Sequence, residues 1–343
     1  MNFEIGEPKT VTILDKFVRY AIQKPTDTKS LLDRYGELVK DFENCTLALS
    51  GGTDSQFMLR LLTHFNIPFK AVTYMSKWND GIINTDDLIY AQEVCKQFNV
   101  DLEIIEIDLE QFYNRNKHMK YAKQHNINSP QVALHLEFIN RIAESNNKLV
   151  MGGDMPYCML GVGTSDHNFS GIDNIVLMTP ALMLQTVKPY YDFCKSKNIK
   201  LLKEIAFSSP EAIYQILEMQ IEIVKEQKIH LTMDPAEIQL RDTLRFKKAV
   251  WNKILPGDIN TLIKVGGFER IKKLLAMQSG IYDQYDKLYR EPMKQTYKPI
   301  IEHETKFRVS IALDDASKEL PNKFKQAVTD SKSKPVTAYQ FDF

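Results

Sequence analysis

Leu47-Ala48-Leu49-Ser50-Gly51-Gly52-Thr53-Asp54-Ser55 is the stretch on which the reading of this chain turns. An apolar run ends in a small, polar, glycine-rich loop, and a helical pattern (Phe57, Met58, Leu61, Leu62) starts directly after it. Two adjacent glycines permit φ > 0 and let backbone N–H groups approach an anion with no Cβ in the way. The N-terminus of the following helix adds oriented donors and a positive dipole end. Ser50 and Ser55 contribute hydroxyls. Asp54 is the odd member, because a carboxylate repels phosphate; a Mg²⁺ ion bridging the two would explain it. The loop lacks the GK[ST] of a Walker A motif and the GxGxxG of a dinucleotide fingerprint, which sets aside kinase-like γ-phosphate binding and NAD-type binding.

Outward from the loop, short apolar runs at Phe69–Met75, Leu102–Ile107 and Leu149–Met151 alternate with helical patterns at Thr85–Phe98 and Pro130–Glu144. Asn84 and Ser129 stand at the N-cap positions of those two helices, and Pro130 at a first helical position. Strands alternating with helices of this length predict βαβ crossovers and a parallel sheet. An amphipathic helix at Leu31–Phe42 precedes the loop. Beyond residue 175 strand patterns are few, and Ser209-Pro210-Glu211 opens a long helical stretch. The expected organisation is an N-terminal arm over 1–28, an α/β domain over 29–175, a mainly helical region over 176–330 and a tail over 331–343.

SGGTDS matches the SGGxDS signature of the PP-loop ATP pyrophosphatases, and the chain resembles that superfamily. The resemblance implies a Rossmann-like parallel α/β fold and cleavage of ATP between its α- and β-phosphates. AMP passes to a substrate oxygen, and a second nucleophile then displaces it. The segment Asp86-Asp87-Leu88-Ile89-Tyr90-Ala91-Gln92-Glu93-Val94, the Glu106-Ile107-Asp108 strand end and the loop Gly152-Gly153-Asp154 follow in the order seen in the synthetase domain of asparagine synthetases. Similarity to that domain extends over roughly residues 30–160. It implies that Ser50, Gly51, Gly52, Thr53 and Ser55 cradle pyrophosphate and that Asp54 binds Mg²⁺. It also implies that Leu49, Thr73 and Tyr74 flank the adenosine, and that Gly152, Gly153 and Asp154 line the acceptor side, with Asp54 and Asp154 as the catalytic pair. The cofactors expected are ATP and Mg²⁺, and the partners a small-molecule acceptor with an amine or ammonia donor. The family's glycine–acid loop is shortened here, with Pro156 and Tyr157 where a glutamate is expected, so the acceptor pocket departs from the aspartate pattern. With 49 residues before the loop there is no room for a glutaminase domain, and a separate nitrogen-donor subunit or a homo-oligomer stays open.

Composition bounds these readings. The chain has 343 residues, 43% hydrophobic and 26% charged, which supports a sizeable core. Lys plus Arg and Asp plus Glu are each 44, a net charge of zero, which disfavours nucleic acid as partner. No signal peptide and no apolar run of about 18 residues is visible, and four scattered cysteines fit a reducing cytoplasm. Cys45 and Cys95 read as core residues; Cys158 lies nearest the expected site. Weaker basic candidates are Lys77, the helix face Arg241, Arg245 and Lys248, and the Lys287–Arg290 segment. The Tyr157–Gly171 stretch reads as a long loop at the same edge. Modification of tRNA or a nucleotide by the same adenylation chemistry, and an ATP-binding scaffold without chemistry, are the competing readings.

Overall fold

The computed structural model describes residues 25–125, 127, 130–143, 147–153, 188–203, 205–227 and 240–257. The N-terminal arm up to residue 24, the Tyr157–Gly171 loop, the Lys287–Arg290 segment and the C-terminal tail lie outside them, as do Ser129, Asp154 and Cys158.

Helix α1 (Leu31–Lys40) starts on a reciprocal cap: Ser30 Oγ accepts from the Asp33 N–H, and the Asp33 carboxylate accepts from the Ser30 N–H. Strand β1 (Cys45–Ala48) leads through the glycine loop into α2 (Thr53–His64). Strand β2 (Phe69–Trp78) is followed by the two-residue β3 (Gly81–Ile82), α3 (Thr85–Gln97) and β4 (Leu102–Asp108). Three helices come next, α4 (Leu109–Asn114), α5 (Lys117–His125) and α6 (Pro130–Ile142), then β5 (Lys148–Met151). Further on are α7 (Lys188–Ser196), β6 (Lys200–Leu202), α8 (Pro210–Gln227) and α9 (Leu240–Ile254). Asn66, Asn99, Asn116 and Asn198, each two residues past the end of α2, α3, α4 and α7, all have positive φ between 52° and 56°. Asparagine thus takes the left-handed helix-ending position that glycine commonly fills.

The fold is α/β with a mostly parallel sheet. β1 is central, with β2 on one side and β5 on the other, both parallel to it. β4 pairs in parallel with the far side of β2, and β6 in parallel with β5; β3 is antiparallel to the end of β2. The chain therefore leaves β1 in one direction and returns to its other side later, so the carboxyl end of β1 is a switch point where a crevice opens. β1 is buried on both faces, as a central parallel strand must be. Its Cys45 and Leu47 pack with α1, α2, α3, α8 and α9, while Ala48 packs with α4, α5, α6 and α7. The sheet thus has a helical layer on each face.

Most of the expected elements form where the periodicity placed them. β2 runs three residues beyond Met75, to Trp78. The region expected to be mainly helical supplies α7, α8 and α9 but also β6, a strand of the same sheet. Asn84 corrects one reading. It precedes α3 but makes no side-chain cap. Its Oδ1 instead accepts from the Ser76 N–H (2.8 Å) and its Nδ2 donates to the Tyr74 carbonyl (2.7 Å), so the residue ties α3 to the end of β2. No helix among the described residues is long and apolar enough to cross a membrane.

Candidate functional site

The loop takes its shape from Gly51. Its φ of +69° is left-handed, and a Cβ there would lie 2.6 Å from Ala91 N and from Tyr90 Cβ, so α3 closes directly on the loop. Gln56 Nε2 donates to the Gly51 carbonyl (2.7 Å) and holds the turn from below. Gly52 is the N-cap of α2 in extended conformation, with no side chain to satisfy the first-turn N–H groups. Those donors are what an anion at a helix N-terminus uses. Ser50 Oγ and Ser55 Oγ lie 3.3 Å apart, and Ser55 Oγ donates to the Gly52 carbonyl (2.9 Å), which places both hydroxyls on the loop. Thr53 and Ser55 are buried in the first turn of α2.

Three separate segments of the predicted site reach one edge of the sheet. Ala48 is in register with Val72 and with Met151, so Leu49, Thr73 and Gly152 all lie one residue further along parallel strands. The Leu49 N–H donates to the Val72 carbonyl (2.9 Å), and the Leu49 side chain is buried in the core. A Cβ on Gly152 would come within 2.7 Å of Ser55 N and 3.0 Å of the Asp54 carbonyl carbon. The exit of β5 therefore touches the first turn of α2 backbone to backbone, and Gly153 follows it, half-buried. Asp154, the next residue, lies outside the described residues, and its expected role stays with the proposals below.

Thr73 is buried and Tyr74 half-buried at the end of β2. The Tyr74 hydroxyl is 3.1 Å from His135 Nε2 on α6, and His135 Nδ1 is 2.6 Å from the Tyr190 hydroxyl on α7. Burial pushes the Tyr74 phenol far above its ordinary value and lowers His135 to about 4, with nearby Lys203 adding to the latter. This Tyr–His–Tyr chain fixes the ring that the resemblance implies flanks the adenosine.

Asp54 has an unexpected environment. Its Oδ2 accepts from Lys247 Nζ (2.9 Å) and its Oδ1 from Trp251 Nε1 (2.9 Å), both on α9. The pair is largely sheltered, with 12% of the Lys247 side chain and 23% of Asp54 exposed. Trp251 is buried and stacks on Phe57 of α2, with ring centroids 4.0 Å apart. Directly after Trp251, Asn252 Oδ1 accepts from buried Arg60 of α2 (3.0 Å), which also donates to the Leu255 carbonyl (2.6 Å). The sequence reading looked to Arg241, Arg245 and Lys248 on this helix and missed Lys247. Lys247 lies four residues before Trp251 and seven before Ile254, so it is one charge at the head of an otherwise apolar stripe with Val250. The side chains of Arg241 and Arg245 lie outside the described residues, and Lys248 is half-buried. Lys77 pairs with Glu106 (2.6 Å) at the surface.

The same contacts test the fit of Mg²⁺. An ammonium and an indole N–H cannot themselves ligate a metal, but each takes one lone pair of Asp54 and leaves another on each oxygen that a Mg²⁺ ion could use. Among the described residues no group of three His, Cys, Asp or Glu gathers that could hold a metal ion. Cys45 and Cys95 behave as core residues: burial pushes the thiol of Cys45 up to about 12 and that of Cys95 up to about 11, leaving both as unreactive thiols.

A parallel sheet with this loop at its carboxyl edge is the architecture that the PP-loop resemblance implies. No family model matches the chain. In sequence it is similar to the tRNA(Ile)-lysidine synthase of Thermosipho africanus (strain TCF52B), 22% identical over 281 residues, which is 80% of this chain. The chain spans about half, 55%, of the length of that synthase. Among solved structures it is loosely similar to a U34-tRNA thiolase from Methanococcus maripaludis, with 17% identity and a TM-score of 0.30 over 73% of this chain and 80% of that one. It is similarly close to an NH3-dependent NAD synthetase from Campylobacter jejuni, with 16% identity and a TM-score of 0.27 over 68% and 96% of the two chains.

Proposed function

We propose that the chain is a PP-loop enzyme that binds ATP at the β1–α2 loop and transfers AMP to an oxygen of a tRNA base. The observation that carries the ATP reading is the loop itself: left-handed Gly51, side-chain-free Gly52 and the first turn of α2 form a cradle of backbone donors at the switch point of the sheet. The acceptor reading rests on the likeness to tRNA(Ile)-lysidine synthase over most of this chain. It takes precedence over the small carboxylate acceptor that the asparagine synthetase resemblance implied. Zero net charge on the whole chain sets no sign for a local patch, so it does not oppose an RNA acceptor.

In this reaction the acceptor oxygen attacks the α-phosphorus, the α–β bridging bond breaks and pyrophosphate leaves. An amine then attacks the activated carbon, its C–O bond to AMP breaks, and the amine loses a proton. The chain's part is positioning and charge stabilisation. Ser50, Gly51, Gly52, Thr53 and Ser55 hold the pyrophosphate end. Thr73 and Tyr74, with the backbone of Leu49, border the adenosine. Gly152, Gly153 and Asp154 face the acceptor.

The acceptor is tested by incubating the protein with α-labelled ATP, Mg²⁺ and an amino-acid mixture, with and without bulk tRNA. The proposal expects AMP release that depends on tRNA and disappears after ribonuclease treatment. AMP release driven by the amino acids alone, and indifferent to tRNA, overturns the RNA acceptor in favour of a small molecule. ATP binding with no turnover under any of these conditions favours the scaffold reading.

A further inference from the structure

We propose that His135 is a positioning residue for the nucleoside end of the ATP site: it holds the Tyr74 hydroxyl from α6, is itself anchored on Tyr190 of α7, and so fixes the ring that borders the adenosine before the nucleotide arrives. The proposal rests on the ATP reading above and goes beyond it by giving a role to a residue of the helical layer. Tyr74 comes two residues after Val72, whose carbonyl accepts the Leu49 N–H, so it stands at the strand end beside the loop. Its two ends are gripped from opposite faces of the sheet, by the segment leading into α3 and by α6. Its carbonyl accepts from Nδ2 of Asn84, just before α3 (2.7 Å), and its hydroxyl lies 3.1 Å from Nε2 of His135 on α6.

The contacts among Tyr74, His135 and Tyr190 carry direction as well as packing. Burial lowers His135 to about 4, so near pH 7 the imidazole is neutral, with one N–H and one acceptor nitrogen. Whichever nitrogen carries the hydrogen, one tyrosine donates to His135 and the other accepts from it. Nε2 is thereby committed to Tyr74, and Nδ1 to the Tyr190 hydroxyl 2.6 Å away. The rings add to the constraint: the Tyr74 ring lies edge-on to His135 with centroids 5.8 Å apart, and its centroid is 5.1 Å from that of Phe138. Around them α6 is apolar, with Leu134, Leu136, Phe138 and Ile139 all buried. A leucine at 135 would fill that layer without desolvating two ring nitrogens, so what the imidazole adds is orientation. A phenol held this way is pre-organised, and ATP binding does not have to select its rotamer.

Equilibrium binding of ATP and of inorganic tripolyphosphate to the full chain tests the proposal, because only ATP has a nucleoside end. In His135→Leu, ATP affinity is expected to fall about three- to tenfold, the range of one neutral hydrogen bond, while tripolyphosphate affinity stays at the wild-type value. Tyr74→Phe keeps the ring and removes the hydroxyl; it should lose the same factor for ATP, and the double variant should bind no worse than either single one. His135→Gln, whose amide reaches about as far as Nε2, should retain most of the ATP affinity, whereas His135→Asn, which reaches only as far as Nδ1, should not. Equal losses for ATP and tripolyphosphate overturn the proposal, because His135 then supports the loop rather than the nucleoside end. So do an unchanged ATP affinity in His135→Leu and full additivity of the two single losses. If His135→Leu does not fold by circular dichroism, the Gln and Asn variants decide: equal ATP affinities in the two overturn the proposal. A wild type that binds neither ligand fails the proposed function; a wild type that binds both, with ATP indifferent to residue 135, fails this proposal alone.

Discussion

Gly51→Ala isolates what shapes the loop. At φ +69° an alanine pays the left-handed penalty of about 1–2 kcal/mol. Its Cβ would also lie 2.6 Å from Ala91 N and Tyr90 Cβ, where the obstruction is the backbone and Cβ of a helix rather than the tip of a flexible chain. Overpacking of that kind costs roughly 1–3 kcal/mol. The stiffer unfolded chain returns somewhat less than about 1 kcal/mol. The net expectation is destabilisation by about 1–4 kcal/mol, a large share of the roughly 5–15 kcal/mol that folded domains have. With a urea dependence of about 2 kcal/mol per M, the unfolding midpoint should fall by about 0.5–2 M. Gly81→Ala is the control: its Cβ would meet only the Trp78 carbonyl oxygen, at an ordinary 3.5 Å, and the midpoint should hardly move. Urea unfolding followed by circular dichroism reads both variants. A Gly51→Ala midpoint within about 0.3 M of wild type, equivalent to roughly 0.5 kcal/mol, refutes the close packing of α3 on the loop.

Asn84→Ala should cost about 2–4 kcal/mol in the same assay, because it strips partners from two backbone groups at the end of β2, with each unsatisfied group worth roughly 1–3 kcal/mol; Asn84→Asp, which keeps only the acceptor, should fall between. A cost below about 0.5 kcal/mol would show that Asn84 does not tie the two elements together. Stability should also fall as pH drops from about 6.5 towards 4. Burial lowers both His118 and His135 to about 4, so in that window the unfolded chain binds protons that the folded chain refuses. Stability is full above the unfolded value near 6.5 and declines below it, with a slope of at most about 1.4 kcal/mol per pH unit for each histidine. Denaturant midpoints measured across that range in His118→Gln and His135→Gln should show a shallower decline; an unaltered slope removes the two histidines from the account.

Much of the fold was legible because the hydrophobic period is clear where an element is long or buried on both faces, as in β1, α2 and α6. The β1–α2 loop was legible because its composition serves one local geometry. β6 was not, since Lys200-Leu201-Leu202 is too short to show a period and is a strand only by pairing with β5. Asn84 was misread because an asparagine before a helix looks like a cap, and only the tertiary fold shows its side chain turned to β2 instead. Lys247 escaped for a related reason. On the helix its spacing from Trp251 is visible, but the carboxylate it meets lies 193 residues earlier in the chain. The resemblance accounted for Asp54 by a Mg²⁺ ion, and the structure adds two donors to its carboxylate, Lys247 and Trp251, that no local pattern announced.

The central claim is that the β1–α2 loop positions ATP for cleavage between the α- and β-phosphates. Product analysis of ATP turnover by the purified protein, separating nucleotides and phosphates from one reaction, tests it most directly. AMP and pyrophosphate in equal amounts are the predicted products, and ADP with inorganic phosphate would contradict the account.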